Sequence, residues 1–185
     1  EIHNSNNVPL SRGNTDASGF YSLSAPADSS VNIVVRAALG NPTAPNTVVA
    51  NHLAGGAKYA MSLSVTTNST NETFNLNASS GWGGSSYISD RVAAPFAILD
   101  TIYAAQQLVL SVDPGVTFPD LTVFWSEAND EKEIGTTHFQ TNGLSREIYV
   151  LGFEGEDTDE YDSHVIAHEW GHYFEDAFSR ADSIG

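Results

Sequence analysis

The stretch at residues 164–178 reads HVIAHEWGHYFEDAF. Its spacing is typical of an amphipathic helix, because residues four apart lie one above the other on one helical face. At about 100° of rotation per residue, one arc of this helix, the ionisable arc, carries every His, Asp and Glu side chain of the stretch. The opposite arc is aromatic and aliphatic, and we predict that it is buried. Its large side chains are Ile166, Trp170, Tyr173, Phe174 and Phe178.

The ionisable arc contains the pattern HExxH, formed by His168, Glu169 and His172. Two imidazoles one turn apart can converge on a single metal ion, and the Glu after the first His then lies beside the ion rather than on it. Glu175 and Asp176 follow closely enough to accept a hydrogen bond from a ring N–H. Two alternatives are a surface helix that carries these residues by chance and a metal site without catalysis.

A catalytic zinc usually has three protein ligands, and the chain offers few candidates for the third. His164 lies on the same stripe, but it would be about 12 Å from His172 along a straight helix. Glu175 meets a similar objection. His138 is in a predicted strand and His52 in a predicted loop, and we expect a structural role for both.

The surroundings of the motif resemble those of zincin metallopeptidases. Apolar residues flank the motif on both sides, and uncharged Trp170 and Gly171 lie inside it. The predicted order of a helix, strands and then the HExxH helix is also similar to the upper half of a zincin domain. The chain lacks the continuations found in metzincins and aspzincins. It is therefore most similar to the gluzincins, the type that includes thermolysin.

The gluzincin resemblance implies zinc as the cofactor, a peptide or protein substrate and Glu169 as the general base. It implies that REIYVLG at 146–152 is the edge strand that pairs with an extended substrate. The third ligand would be a Glu on a later helix, beyond Gly185. We therefore expect that this chain is a fragment, that it binds zinc weakly and that it is inactive on peptides.

The first part of the chain predicts β-structure, because apolar and polar residues alternate in several short segments. The stretch TDASGFYSLSAP at 15–26 resembles the carboxypeptidase-regulatory-like, or transthyretin-like, β-sandwich. The predicted fold class is α+β, with this antiparallel sandwich at 1–80, a Gly/Ser-rich boundary near 79–86 and a partial zincin domain at 81–185. We expect no sheet to span both parts. Predicted strands are 19–25, 31–39, 59–67 and 72–78, with a loop at 40–47; then come a helix at 90–110 and strands at 121–126, 136–140 and 146–152.

Composition narrows the partners and the location. The net charge is −16, from 23 acidic and 7 basic residues, which argues against a nucleic-acid partner. The absence of cysteine excludes disulfides and thiolate metal sites and, in an exported protein, favours a bacterial source. We expect a secreted, periplasmic or cell-surface protein, with any lipid anchor outside this chain.

Two further alternatives remain open. The chain could be a secreted adhesion or binding module with a structural or weak metal site. The acidic segment at 154–162 could hold calcium, although its spacing is not that of an EF-hand and a solvated acidic cap is favoured.

Overall fold

The computed structural model describes residues 1–179 and has the predicted mixture of sheets and helices. Within this part of the chain there are two β-sheets, of four and six strands, and three α-helices. The helices are α1 (Ala94–Val112), α2 (Glu131–Ile134) and α3 (Ser163–Phe178). The α+β fold class is therefore confirmed.

The four-stranded sheet is antiparallel and has the order β2-β1-β3-β7. Its apolar face, which includes Val31 and Ile33, is covered by the half-buried side chains of Tyr21, Leu23 and Phe74. These covering residues belong to 19–25 and 72–78, which were predicted as strands but join no ladder in the described chain. The strands are β1 (Ile2–Asn4), β2 (Pro9–Ser11), β3 (Ser30–Arg36) and β7 (Ala60–Thr66).

The six-stranded sheet has the order β4-β5-β8-β10-β9, and β6 pairs with β5. β8 runs parallel to both β5 and β10, whereas β9 is antiparallel to β10 and forms an edge. Its strands are β4 (Ala38–Asn41), β5 (Ala44–Asn51), β6 (Ala57–Lys58), β8 (Leu121–Trp125), β9 (His138–Thr141) and β10 (Arg146–Val150).

The six-stranded sheet takes strands from both sides of the predicted boundary at 79–86. The prediction that no sheet spans both parts is therefore wrong. Ala37 and Val49 lie in the same core as the strands and helices after residue 90, so burial of this face requires both segments. The loop predicted at 40–47 is confirmed only at 42–43, because β4 extends to Asn41 and β5 begins at Ala44.

Helices α1 and α3 pack on one face of the six-stranded sheet and against each other. Ile98 and Ile102 of α1 are fully buried in this core. By length and composition alone α1 could cross a membrane, since it has 19 residues and a mean hydropathy of 1.2. A core helix of a soluble protein has the same properties. Ile98 and Ile102 are buried against the sheet, and 28% of the apolar window is buried in all.

Candidate metal centre

Helix α3 begins with a side-chain cap. The carboxylate of Asp162 accepts hydrogen bonds from the backbone N–H groups of His164 and Val165, at 2.9 and 3.2 Å. These groups have no partner inside the helix, so the cap fixes where α3 starts. The start in turn determines which residues of the HExxH segment face the sheet.

The apolar arc of α3 is buried along most of its length, as its periodicity predicts. Ile166, Trp170 and Tyr173 are all buried. The Tyr173 hydroxyl donates to the carbonyl of Pro119 at 2.6 Å, and burial raises the pKa of this tyrosine to about 12. Phe178, at the end of the arc, is 41% exposed, so the predicted burial stops before the last turn.

His168 and His172 lie on the exposed side of α3, and their Nε2 atoms are 3.1 Å apart. Their rings are nearly perpendicular, with an angle of 86° between the planes. Two nitrogen ligands bound tetrahedrally to zinc at about 2.0–2.1 Å each are roughly 3.3 Å apart. The two ring nitrogens therefore fit two positions of a zinc site.

Glu169 lies on the ionisable arc, yet it is only 8% exposed. Its Oε2 accepts a hydrogen bond from the backbone N–H of Phe139 in β9, at 2.8 Å. The carboxylate is thus held between α3 and the edge strand. Sequence periodicity gave no signal for this contact, because it depends on which strand lies next to the helix.

The sheet itself separates the other two candidate histidines from the pair. Side chains alternate between the faces of a strand, so Phe124 and Tyr149 point away from the helices that cover Val123 and Ile148. His52 packs against both of these aromatic rings, and His138 stacks on Tyr149. Both histidines therefore lie on the opposite face from α3. This placement keeps both rings away from the His168–His172 pair, and their structural role stays a prediction.

A complete ligand set is not found between residues 1 and 179, where no group of three or more His, Cys, Asp or Glu side chains could hold a metal ion. His164 and Glu175 are both exposed on α3. The third ligand expected beyond Gly185 lies outside the described residues.

Asp176 was predicted to accept from a histidine ring, but its partner is Arg146. The Arg146 Nε donates to Asp176 Oδ2 at 2.7 Å. This ion pair joins the start of β10 to the last turn of α3. It orients the helix on the sheet rather than orienting an imidazole.

The acidic segment at 154–162 is not fully solvated, because Asp159 and Glu160 are buried. The guanidinium of Arg91 donates to Glu160 and to the carbonyl of Gly152. The prediction of a solvated acidic cap is therefore wrong for these two residues. Glu160 needs a buried cation, and no local sequence signal pairs it with a residue 69 positions earlier.

Asp159 accepts a hydrogen bond from the Thr137 hydroxyl, which in turn accepts from the backbone N–H of Leu151. Burial raises the pKa of Asp159, and the nearby carboxylates of Asp157 and Glu169 act in the same direction. Thr137 thus holds Asp159 and Arg91 holds Glu160, so the segment that leads into α3 is fixed at two consecutive residues.

Comparison with protein-family models, curated proteins and solved structures finds no match for this chain.

Proposed function

We propose that this chain carries the zinc-binding and general-base residues of a metallopeptidase that hydrolyses peptide bonds. The observation that carries this proposal is the convergence of His168 and His172, whose Nε2 atoms are 3.1 Å apart on the exposed side of α3. An ordinary solvent-exposed helix face does not require two imidazoles that converge in this way, whereas a metal site does.

In this proposal His168 and His172 hold zinc through their Nε2 atoms, and a Glu beyond Gly185 supplies the third ligand, as the gluzincin resemblance implies. Zinc supplies Lewis acidity, which polarises a carbonyl and makes water a better nucleophile near neutral pH. The ligating rings must be neutral to bind the metal, so zinc affinity falls on acidification.

Glu169 acts as the general base. It accepts a proton from the attacking water and later transfers a proton to the leaving amine. The hydrogen bond from Phe139 to Oε2 limits the freedom of the carboxylate, and low exposure restricts competing water molecules. A base that is already positioned loses less conformational entropy when the substrate binds.

The substrate would lie along β9, which replaces 146–152 as the proposed edge strand because β10 is paired on both sides. His138 and Gln140 direct their backbone groups towards β10, as the outward N–H of Phe139 indicates. Phe139 and Thr141 therefore direct theirs away from the sheet, but Glu169 already occupies the N–H of Phe139. An extended peptide can pair through main-chain hydrogen bonds with the other outward groups, which are the carbonyl of Phe139 and the N–H and carbonyl of Thr141.

The test uses the chain extended by its natural downstream sequence. Glu169→Gln should lower peptide hydrolysis by about 100-fold or more, because the base is lost. Zinc content, measured by mass spectrometry of the metal, should stay unchanged because Glu169 is not a ligand. Glu131→Gln, at an exposed site on α2, is the matched control and should keep full activity. An active Glu169→Gln variant would contradict the assignment.

A further inference from the structure

We propose that the outer edge of β7 pairs with β7 of a second copy of this chain, joining the two four-stranded sheets into one of eight strands. β7 is the last strand of its sheet, and its sequence AMSLSVT contains no charged residue and no proline. Unpaired strand edges bind other strands unless they are short, charged, bulged or interrupted by proline.

The direction of each backbone group of β7 follows from the hydrogen bonds at its two ends. Ala37 N–H donates to the carbonyl of Tyr59, and Thr67 N–H donates to the carbonyl of Ser29. Both hydrogen bonds belong to the antiparallel register of β3 and β7. The backbone N–H and C=O groups of the odd-numbered residues of β7 therefore point towards β3. The N–H and C=O groups of Ser62 and Ser64 consequently point away from the sheet, where no strand of the described chain lies beside them.

The other strand edges in the described residues are protected. β2 has three residues and begins with Pro9. β4 has four residues and is followed by Pro42. β9 is also short, and the carboxylate of Glu169 occupies the outward N–H of Phe139. β7 is an edge strand of seven residues, and it has neither a proline nor an occupied outward N–H among the described contacts.

A second copy fits this edge because the strand is complementary to itself. In an antiparallel pair centred on Leu63, Ser62 of one copy faces Ser64 of the other, and both outward-facing groups of each serine form hydrogen bonds. Met61, Leu63 and Val65 of both copies then meet on the face that is already apolar. Cross-strand contacts of this kind are the units that stabilise a sheet.

The charges that flank β7 are complementary. The exposed Lys58 of β6 precedes the strand, and Glu72 follows it, held at Asn68 by two hydrogen bonds of 2.8 and 2.7 Å. An antiparallel pair places the start of one β7 beside the end of the other, so the segments that carry these opposite charges lie at the same ends of the shared ladder. The net charge of −16 on each copy opposes association, so higher salt should strengthen the dimer by screening this repulsion.

Sedimentation equilibrium tests the proposal, with the chain at roughly 10 µM to 0.5 mM, the range in which a small interface associates. The unchanged chain should shift from monomer towards dimer, and more so in higher salt. Ser62→Pro removes an outward N–H and no bond to β3, so it should weaken association at least about tenfold while leaving the circular dichroism unchanged. Ser62→Ala keeps the N–H and should associate like the unchanged chain.

If Ser62→Pro does not fold, Ser64→Pro tests the neighbouring outward N–H in the same way. A chain that stays monomeric at every concentration and salt level would overturn the proposal. So would a folded proline variant that associates as tightly as Ser62→Ala, because the contact would then lie elsewhere on the surface.

Discussion

His168 and His172 owe their convergence to the helix itself, since one turn separates them and both side chains leave the same face. His164 is one turn earlier on the same stripe, yet only the later two rings approach each other. Glu169, one residue after His168, points instead to β9 because the helix turns it towards the sheet. The three residues of the motif therefore have distinct surroundings, as the proposed division between metal binding and proton transfer requires.

Zinc affinity should depend on the two converging rings and not on their neighbour. His168→Ala and His172→Ala should each weaken zinc binding by at least about tenfold, because each removes a ligand. His164→Ala, an exposed histidine on the same helix, should leave the affinity unchanged. Isothermal calorimetry at pH 7.5 or above, where imidazole is mostly neutral, measures all three. An equal loss in His164→Ala would mean that the chain uses a different pair.

At the scale of strands, the four-stranded sheet is fastened by the side chain of Glu1. Its carboxylate lies 3.0 Å from Arg12, 2.9 Å from Arg36 and 2.7 Å from His3, and it is 10% exposed. Burial by itself would raise the pKa of Glu1, but the hydrogen bonds from His3, Arg36 and Arg12 outweigh it and lower that pKa to about 2. One carboxylate thus joins β1 to residues at the ends of β2 and β3.

Glu1→Gln should therefore lower the free energy of unfolding at neutral pH by about 1–3 kcal/mol. A depressed carboxyl pKa stabilises the fold above the unfolded value of 4.5, and this stabilisation is lost as the pH falls towards about 2. The difference between variant and parent should accordingly shrink over that interval. Urea denaturation at several pH values measures it, with Asp100→Asn on the exposed side of α1 as the control. A difference that is independent of pH would contradict the proposed role of the ionised Glu1 carboxylate in joining these strands.

Sequence periodicity located burial better than it located hydrogen bonding. Segments 19–25 and 72–78 alternate because one side of each packs on the four-stranded sheet, but alternation does not require a ladder. β5 was missed because Pro45 and Asn46 resemble a loop, whereas the following Thr47–Ala50 is fully buried. Strand order was also out of reach, so 146–152 was assigned to the edge that β9 occupies. The helix pattern of α3 was the most informative signal, since a wide apolar arc leaves one way to bury it.

At the scale of the whole molecule, the chain crosses between its two sheets before and after β5. β3 leads into β4 through the buried Ala37, and β6 leads into β7 through Tyr59. The Tyr59 hydroxyl donates to the carbonyl of Trp125 at 3.1 Å, and burial raises the pKa of Tyr59 to about 12. The sheet that supports the candidate metal centre is therefore incomplete without residues 38–58.

A chain of residues 81–185 should consequently fail to fold on its own, whereas one of residues 37–185 should fold. The shorter chain loses β5, which leaves Leu121 and Val123 of β8 without their neighbouring strand. Cooperative urea unfolding and dispersed amide signals in NMR spectra distinguish the two outcomes. Cooperative unfolding of 81–185 with the same midpoint as the full chain would show that residues 38–58 are not needed for the folding of the later strands and helices.

His168 and His172 are proposed to share one zinc ion. Crystals grown with zinc and measured at the zinc absorption edge test it most directly, because anomalous scattering locates the metal without reference to activity. We predict one anomalous peak roughly 2.0–2.1 Å from the Nε2 atoms of both residues. No peak at this pair, a peak on only one of its rings, or zinc bound instead by the acidic segment at 154–162 would contradict the account.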